Sequence, residues 1–424
     1  MDHTDANISG ADFGIMEAAA AAKQLLSTLP LKNRKVLIIV ENLPVPFDRR
    51  VWQEATTLAR AGATVSVICP RGKNAEKAYD YLDGVHVYRH PQAYEAKGAP
   101  GYLLEYGNAL FHELRLALKV YRRHGFDTLH GCNPPDLIFL VALPFKMLGV
   151  RYLFDHHDIN PELYEAKFEK RGFFWRLMVM FERLTFAAAD VVISTNESYR
   201  TIALERGRKK AEDVFVVRSG PNLARFKPVA PDPALRNGRH FLVGYVGVIG
   251  QQEGVDLLLQ AIHYIVVMLG RDDVHFSIVG GGPHLEEMRA LAVQLGVSEY
   301  VTFTGRVADE LLLRVLSTAD VCVNPDRVNP MNEKSTMNKV LEYMALGKPI
   351  VQFDVTEGRV SAEAASLYAA PNDAVDFADK ILTLLADPEQ RKYRGDVGWR
   401  RVLSQLAWDY EIPKLISAYQ RVGR

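Results

Sequence analysis

Cysteine is scarce in this chain of 424 residues: Cys69, Cys132 and Cys322 are the only three, with no pairing or metal-binding spacing. That excludes a disulfide-stapled scaffold and fits a reducing compartment. Long apolar runs are missing as well, and none approaches the roughly 20 residues of a membrane-spanning helix. No basic start followed by an apolar core opens the sequence, so a cytoplasmic protein without a secretory signal is expected. Neither sign of charge dominates. Lys plus Arg and Asp plus Glu stand at 51 each, which argues against a nucleic-acid binder acting by bulk charge. With 48% hydrophobic and 24% charged residues the chain is globular, and its length exceeds one ordinary core. Two α/β domains are the expectation.

The order of elements supports this. Residues 1–30 are polar and then Ala-rich, and read as a loose extension with a helix near Met16 to Leu26. From Lys35 an α/β rhythm begins, with apolar strand-like runs at Val36–Val40, Val65–Ile68, Val85–Arg89, Thr128–His130, Tyr152–Phe154 and Val191–Ser194. Ser219 to Asn237 contains Gly220, Pro221, Pro228, Pro231 and Pro233 and reads as a linker. A second series follows at Leu242–Val246, Val274–Val279, Val301–Thr304, Val321–Asn324 and Pro349–Phe353. Strands separated by helices imply parallel sheets covered on both faces. The fold class is therefore α/β, with two Rossmann-like domains, 31–220 and 221–407. Their parallel sheets are expected to face a central cleft, with residues 408–424 crossing back to the first domain.

The stretch Ser335 to Val351 carries the sharpest chemistry. Val340, Leu341, Met344 and Ala345 keep helical spacing, Gly347 stops the helix, and Pro349 bars its continuation. Lys339 falls in the first turn and Glu342 one turn on. Helix-start amides near Ser335, Thr336, Met337 and Asn338, with an adjacent cation, suit a phosphate; a carboxylate one turn on can accept from a ribose diol. Glycine turns at Gly247–Gly250 and Gly280–Gly282, with Gly281 inside the second, each follow a strand and open a helix. They serve equally as tight connections or as places where a ligand nears the backbone. Arg306 and Val307 follow Gly305 in a third turn, where backbone groups could meet a base edge.

In this order, the glycine turn, Val279-Gly-Gly-Gly-Pro283, Phe303-Thr-Gly305 and Lys339-x-x-Glu342-Tyr-Met-Ala-x-Gly347-Lys-Pro349 resemble glycosyltransferase family 4. Asp48-Arg-Arg-Val-Trp-Gln-Glu54-Ala resembles the opening of bacterial members that build exopolysaccharide and O-antigen. The resemblance implies the GT-B fold and retaining transfer from a nucleotide sugar, with no metal or other cofactor. It assigns the ribose hydroxyls to Glu342 and the diphosphate to Lys339 and the neighbouring amides. Many members carry a second upstream Glu, but that place holds Lys334, with Glu333 one residue off; Glu333, Asp326 or Asn332 could serve the sugar instead. Where many have an Arg and a Lys in the first glycine turn, Val248 and Glu253 stand. A diphosphate in a dry site needs cations, so Arg306, Arg327, Lys334 and Lys339 are the expected substitutes, and Glu253 could touch the sugar or only stabilise its helix.

In the first domain, His130, Asn133, Asp136, His156 and Asp158 sit at strand ends, and Arg49 in the loop after the first strand. His130, His156 and Asp158 are candidates beside the reacting hydroxyl, and Arg49, Asn133 and Asp136 are candidates for the acceptor. Asp155-His-His-Asp158 is not read as a metal site, because alternate side chains on a strand point to opposite faces. Phe173 to Arg183 and Tyr102 to Arg123 are apolar with basic residues, and read either as core helices or as a surface resting on the inner membrane near a polyprenyl-linked glycan. The expected partners are a nucleotide-sugar donor and a glycan acceptor, without nucleic acid. A UDP-sugar 2-epimerase and a non-catalytic nucleotide-sugar-binding subunit are the competing readings.

Overall fold

Each apolar run named above becomes a strand in the computed structural model, which describes residues 10–91 and 99–423, with side chains from 17 to 91 and from 107 on. The first sheet contains β1 (Lys35–Val40), β2 (Thr64–Pro70), β3 (Tyr79–Leu82), β4 (Val85–His90), β5 (Thr128–Cys132), β6 (Arg151–His156), β7 (Val191–Ser194) and β8 (Val214–Val216). Its order is β3-β4-β2-β1-β5-β6-β7-β8, parallel except for the β3–β4 hairpin. The second contains β9 (Phe241–Val246), β10 (Val274–Val279), β11 (Val301–Gly305), β12 (Val321–Asn324), β13 (Ile350–Phe353) and β14 (Ser366–Ala369), ordered β11-β10-β9-β12-β13-β14 and wholly parallel. The central strands are buried along nearly their whole length, as sheets covered on both faces require.

Three strands were not anticipated. β3 alternates exposed and half-buried residues at a sheet edge, while β8 and β14 are too short to stand out.

The chain divides into two compact units, one holding Ala18–Ser219 and Asp409–Arg424 and the other Gly220–Trp408. The helix Trp408–Val422 thus returns to the first unit. Its Tyr419 hydroxyl lies 2.7 Å from His130 Nδ1, and its Glu411 accepts from the Arg218 amide at 3.0 Å. The helix expected near Met16 to Leu26 falls within the helix Gly10–Ser27, where Ala22 and Leu26 are buried. The proline-rich stretch after Ser219 is fastened rather than free. The Val229 and Asp232 amides donate to the Ser317 and Thr318 hydroxyls, and Arg236 pairs with Asp320 at 2.6 Å.

Candidate active site

The second sheet changes direction at β9 and β12, with β10 and β11 added on one side and β13 and β14 on the other. Open parallel sheets bind ligands outside the carboxyl ends of strands at such a switch point. Asp326, two residues past β12, is buried and accepts from Lys339 Nζ at 2.6 Å. The same ammonium lies 5.0 Å from the Tyr245 ring centroid. Its stem crosses Gly247, where an added Cβ would stand 3.3 Å from Lys339 Cε and 2.6 Å from the Tyr245 hydroxyl. The Tyr343 hydroxyl accepts from the Val246 amide at 2.8 Å and donates to the Val323 carbonyl at 3.2 Å, tying β9 and β12 to the helix that carries Lys339.

That helix, Asn338–Ala345, begins without a side-chain cap at Met337. The Val340 amide bonds to the Met337 carbonyl at 3.0 Å, and no Met337 side-chain bond caps the Asn338 and Lys339 amides, the donors an anion site would use. Val340, Leu341, Tyr343 and Met344 are buried, while Lys339 and Glu342 are half-buried on the other face. Burial pushes the Asp326 carboxyl up, and Lys339 opposes that shift. Glu253 is also pushed up by burial, against the pull of Lys339 and with a further push from Asp326.

The glycine turns have a structural reason first. Gly280 has φ +139°, and a Cβ there would sit 1.8 Å from the Gly247 carbonyl. The turn containing Gly281 and Gly282 packs directly on the next one, where the Ile249 amide donates to the Gly281 carbonyl at 3.1 Å. Gly250 lies under the Glu253 carboxylate, 2.6 Å from its would-be Cβ. These contacts bring two loops together at the carboxyl ends of β9 and β10.

Several expected donor contacts take other positions. Arg327 is ion-paired with Asp256, so it is no unengaged cation for a diphosphate. Glu333 accepts from the amide of Thr356 at 2.9 Å and from its hydroxyl, and so holds the start of the helix Thr356–Ala362. Asn332 is buried, its amide donating to the Gln252 and Arg327 carbonyls at 3.1 and 2.8 Å. Arg306 is exposed, and Val307, Lys334, Ser335 and Thr336 are half-buried around the same loops. Lys348, part of the Lys339–Pro349 motif, donates to the Ser317 and Ala319 carbonyls at 2.6 and 2.9 Å and closes the end of the helix Asp309–Thr318.

In the first unit the switch point lies at β1 and β5. Arg50 is gripped by Asp155 through two bonds of 2.9 and 2.7 Å, lies 3.1 Å from Glu54, and donates to the Val217 carbonyl at 2.9 Å. Burial pushes Asp155 up, but Arg50 and then His157 outweigh it and hold the carboxyl well below its usual range. Burial raises Glu54 to about 7 despite Arg50.

His130 is fully buried, its Nδ1 on Tyr419 and its Nε2 3.7 Å from Glu54. His156 is also fully buried, among Phe154, Phe186 and Tyr199, and burial lowers it to about 3. Both side chains are enclosed by protein atoms, whereas the expectation had them at the surface of the site. Asn133 and Asp136 are likewise buried. The Asn133 side chain receives the His157 and Asp158 amides at 3.0 and 3.1 Å and donates to Asp136 at 2.9 Å, so the pair shapes the loop. Arg49 is half-buried at the start of the helix Arg49–Arg60.

His157 is the residue that sequence reading passed over. Burial alone would lower it, but Asp155 at 3.0 Å wins and lifts it to about 9, so it is an imidazolium at neutral pH with its side chain 12% exposed. Asp158 beside it is raised to about 6 by burial, against His157. The signal was available: strand alternation puts His157, not His156, on the side of Asp155.

The description "Glycosyl transferase 4-like domain" matches residues 48–220, and "Glycosyl transferases group 1" matches residues 240–387. The chain belongs to glycosyltransferase family 4. This glycosyltransferase is 26% identical over 299 residues to alpha-maltose-1-phosphate synthase of Mycolicibacterium smegmatis, covering 65% of this chain and 74% of that one. It is 30% identical over 208 residues to the GDP-mannose-dependent alpha-(1-6)-phosphatidylinositol monomannoside mannosyltransferase of Mycobacterium tuberculosis, spanning 46% of this chain and about half (53%) of the relative. Among solved structures, sucrose-phosphate synthase of Thermosynechococcus elongatus shares the fold with a TM-score of 0.76 at 22% identity, over 92% of this chain and 99% of that one. The fold is GT-B.

Proposed function

We propose that this glycosyltransferase moves a sugar, with retention of configuration, from a nucleoside-diphosphate sugar to a hydroxyl of a glycan or polyprenyl-linked glycan in cell-surface polysaccharide synthesis. One observation carries the donor reading. Lys339 is held over the Gly247 turn beside an uncapped helix start, at the switch point of the second sheet. The amides offer a diphosphate directional donors and the ammonium offers charge. Glu342, one turn on, is the ribose acceptor in this reading. The name of the mannosyltransferase relative, which is GDP-mannose-dependent, supports a nucleotide sugar as the donor class. No metal takes part in the proposed transfer. In the first unit His157 replaces His130 and His156 as the group that meets a reacting oxygen, and its positive charge suits a phosphate or a polarised hydroxyl.

A lipid-linked acceptor has its own support. No helix among the described residues is long and apolar enough to cross a membrane. The packed helices Phe139–Lys146 and Phe173–Ala188 nonetheless expose Leu140, Leu143, Phe173, Phe174, Met180 and Leu184, with Arg176 and Arg183 beside them. Val179, Glu182 and Phe186 bury the opposite face of the second helix, so the core reading of that stretch holds for one face only. Of the stretch Tyr102 to Arg123, side chains before Gly107 lie outside the described residues. An apolar face edged by arginines suits an anionic inner-membrane surface.

The test is turnover of UDP-, GDP- and ADP-sugars by the purified chain, with and without acceptor lipid extract. Release of one nucleoside diphosphate is the expected result. Nucleotide-sugar binding without any release would replace the enzyme by a binding subunit. No thermal shift with any donor would remove the donor site.

A further inference from the structure

A second polar cluster lies in the first unit, away from the Arg50–Asp155 network. Glu41 directly follows β1, His90 ends β4, and Glu113 reaches in from the helix Ala99–Arg123. One ligand-type atom from each of the three lies within 4.8 Å of the other two. Glu113 is completely buried and His90 is 2% exposed. Among the described residues, both Glu113 oxygens, Glu41 Oε2 and His90 Nε2 are buried without a hydrogen-bond partner of good geometry. Such groups cost several kcal/mol when left uncompensated.

The tautomer of His90 can be read from its neighbour. Its Nδ1 lies 2.9 Å from the Pro91 carbonyl, which can only accept, so Nδ1 carries a proton. In the neutral ring Nε2 then carries a lone pair, and Glu41 Oε2 lies 2.9 Å from it. Two acceptors come that close only when a further proton or a metal cation relieves their repulsion. A backbone carbonyl fixing the distal ring nitrogen is also the usual outer support of a metal-bound histidine. The other close group of this kind among the described residues, His130, Cys132 and Asp155, is different, because Arg50 already neutralises its carboxylate.

We propose that Glu41, His90 and Glu113 form a binding site for a divalent transition-metal ion of the zinc type. One imidazole nitrogen and two carboxylates are a donor set such ions take, with a coordination position left over. The ion would tie the loop that leads to the helix Arg49–Arg60 to β4 and to the helix Ala99–Arg123. It plays no part in donor binding, which lies in the other unit.

The experiment uses the full chain stripped with chelator and titrated with Co2+ and Zn2+. About one equivalent of Co2+ should bind with visible ligand-field bands, displaced by Zn2+, and Zn2+ should raise Tm by several degrees. Glu113→Gln and His90→Gln should each lower affinity at least tenfold while keeping the wild-type circular dichroism. If either variant does not fold, Co2+ X-ray absorption of the wild type decides, with one imidazole and carboxylate oxygens expected. Absence of stoichiometric binding overturns the site. So does binding that survives both substitutions, or a protonated-carboxyl infrared band that disappears in Glu113→Gln and is unmoved by metal in the wild type. That last outcome would mean that a proton shared by Glu41 and Glu113 takes the place of the ion.

Discussion

At the first sheet's switch point buried charges answer one another, whereas at the second a single lysine stands between two carboxylates beside an uncapped helix. Arg50 binds Asp155 and Glu54, and Asp155 also holds His157. That network is closed, and its main product is a rigid loop with one largely buried imidazolium. Lys339 is balanced by Asp326, with Glu253 near, and the walls are glycine turns whose backbones are in contact. The same topology thus yields a scaffold in one unit and a receptive surface in the other. Where a buried charge has partners on all sides it specifies shape, and where it borders open amides it can specify a ligand.

Four substitutions test this contrast, from the largest effect to the smallest. Arg50→Ala leaves Asp155 and Glu54 buried without their cation and should cost about 3–5 kcal/mol in denaturant unfolding. A loss below about 1 kcal/mol would break the closed-network side of the comparison. His157→Asn should change the pH dependence of stability. The His157 pKa is raised from the ordinary 6.5 to about 9, so its contribution is full below pH 6.5 and is lost as pH rises through 9. Wild type minus variant stability should therefore fall by on the order of 3 kcal/mol across that window. Glu54, raised from 4.5 to about 7, and Asp158, raised from 3.8 to about 6, also lose stability as pH rises, but in lower windows. A flat difference curve above pH 6.5 would detach His157 from Asp155.

Glu342→Ala removes one charge-assisted bond, about 1.5–3 kcal/mol, and should lower donor kcat/KM roughly ten- to 150-fold with Tm nearly unchanged. An equal loss of stability and activity would move Glu342 to the scaffold side. Glu333→Ala, which removes only a support of the helix Thr356–Ala362, should cost about 1 kcal/mol of stability and leave donor KM unaltered. A raised KM there would restore Glu333 to the sugar site.

Much of this was legible from residue order. The strands at Val191–Ser194, Val274–Val279 and Val321–Asn324 coincide with their apolar runs, because a doubly covered strand must be apolar throughout. The helix carrying Lys339 and Glu342 followed from apolar spacing and its Gly347 stop. The polar partners were less legible. His130 and His156 looked reactive because histidine at a strand end usually faces solvent, yet the returning helix covers the first and Phe186 and Tyr199 enclose the second. Arg327 looked available until folding placed Asp256 beside it.

The sequence by itself determined the two α/β sheets, the switch-point loops and the lysine and glutamate one turn apart. All of these depend on periodicity and on residues near in the chain. Only the tertiary structure decided which charges are neutralised internally, as with Arg50 and Asp155, 105 residues apart. It alone decided which histidine is charged, and that Glu41, His90 and Glu113 meet. Burial and pairing depend on neighbours brought from distant segments, and they set whether a polar side chain builds the fold or remains to bind.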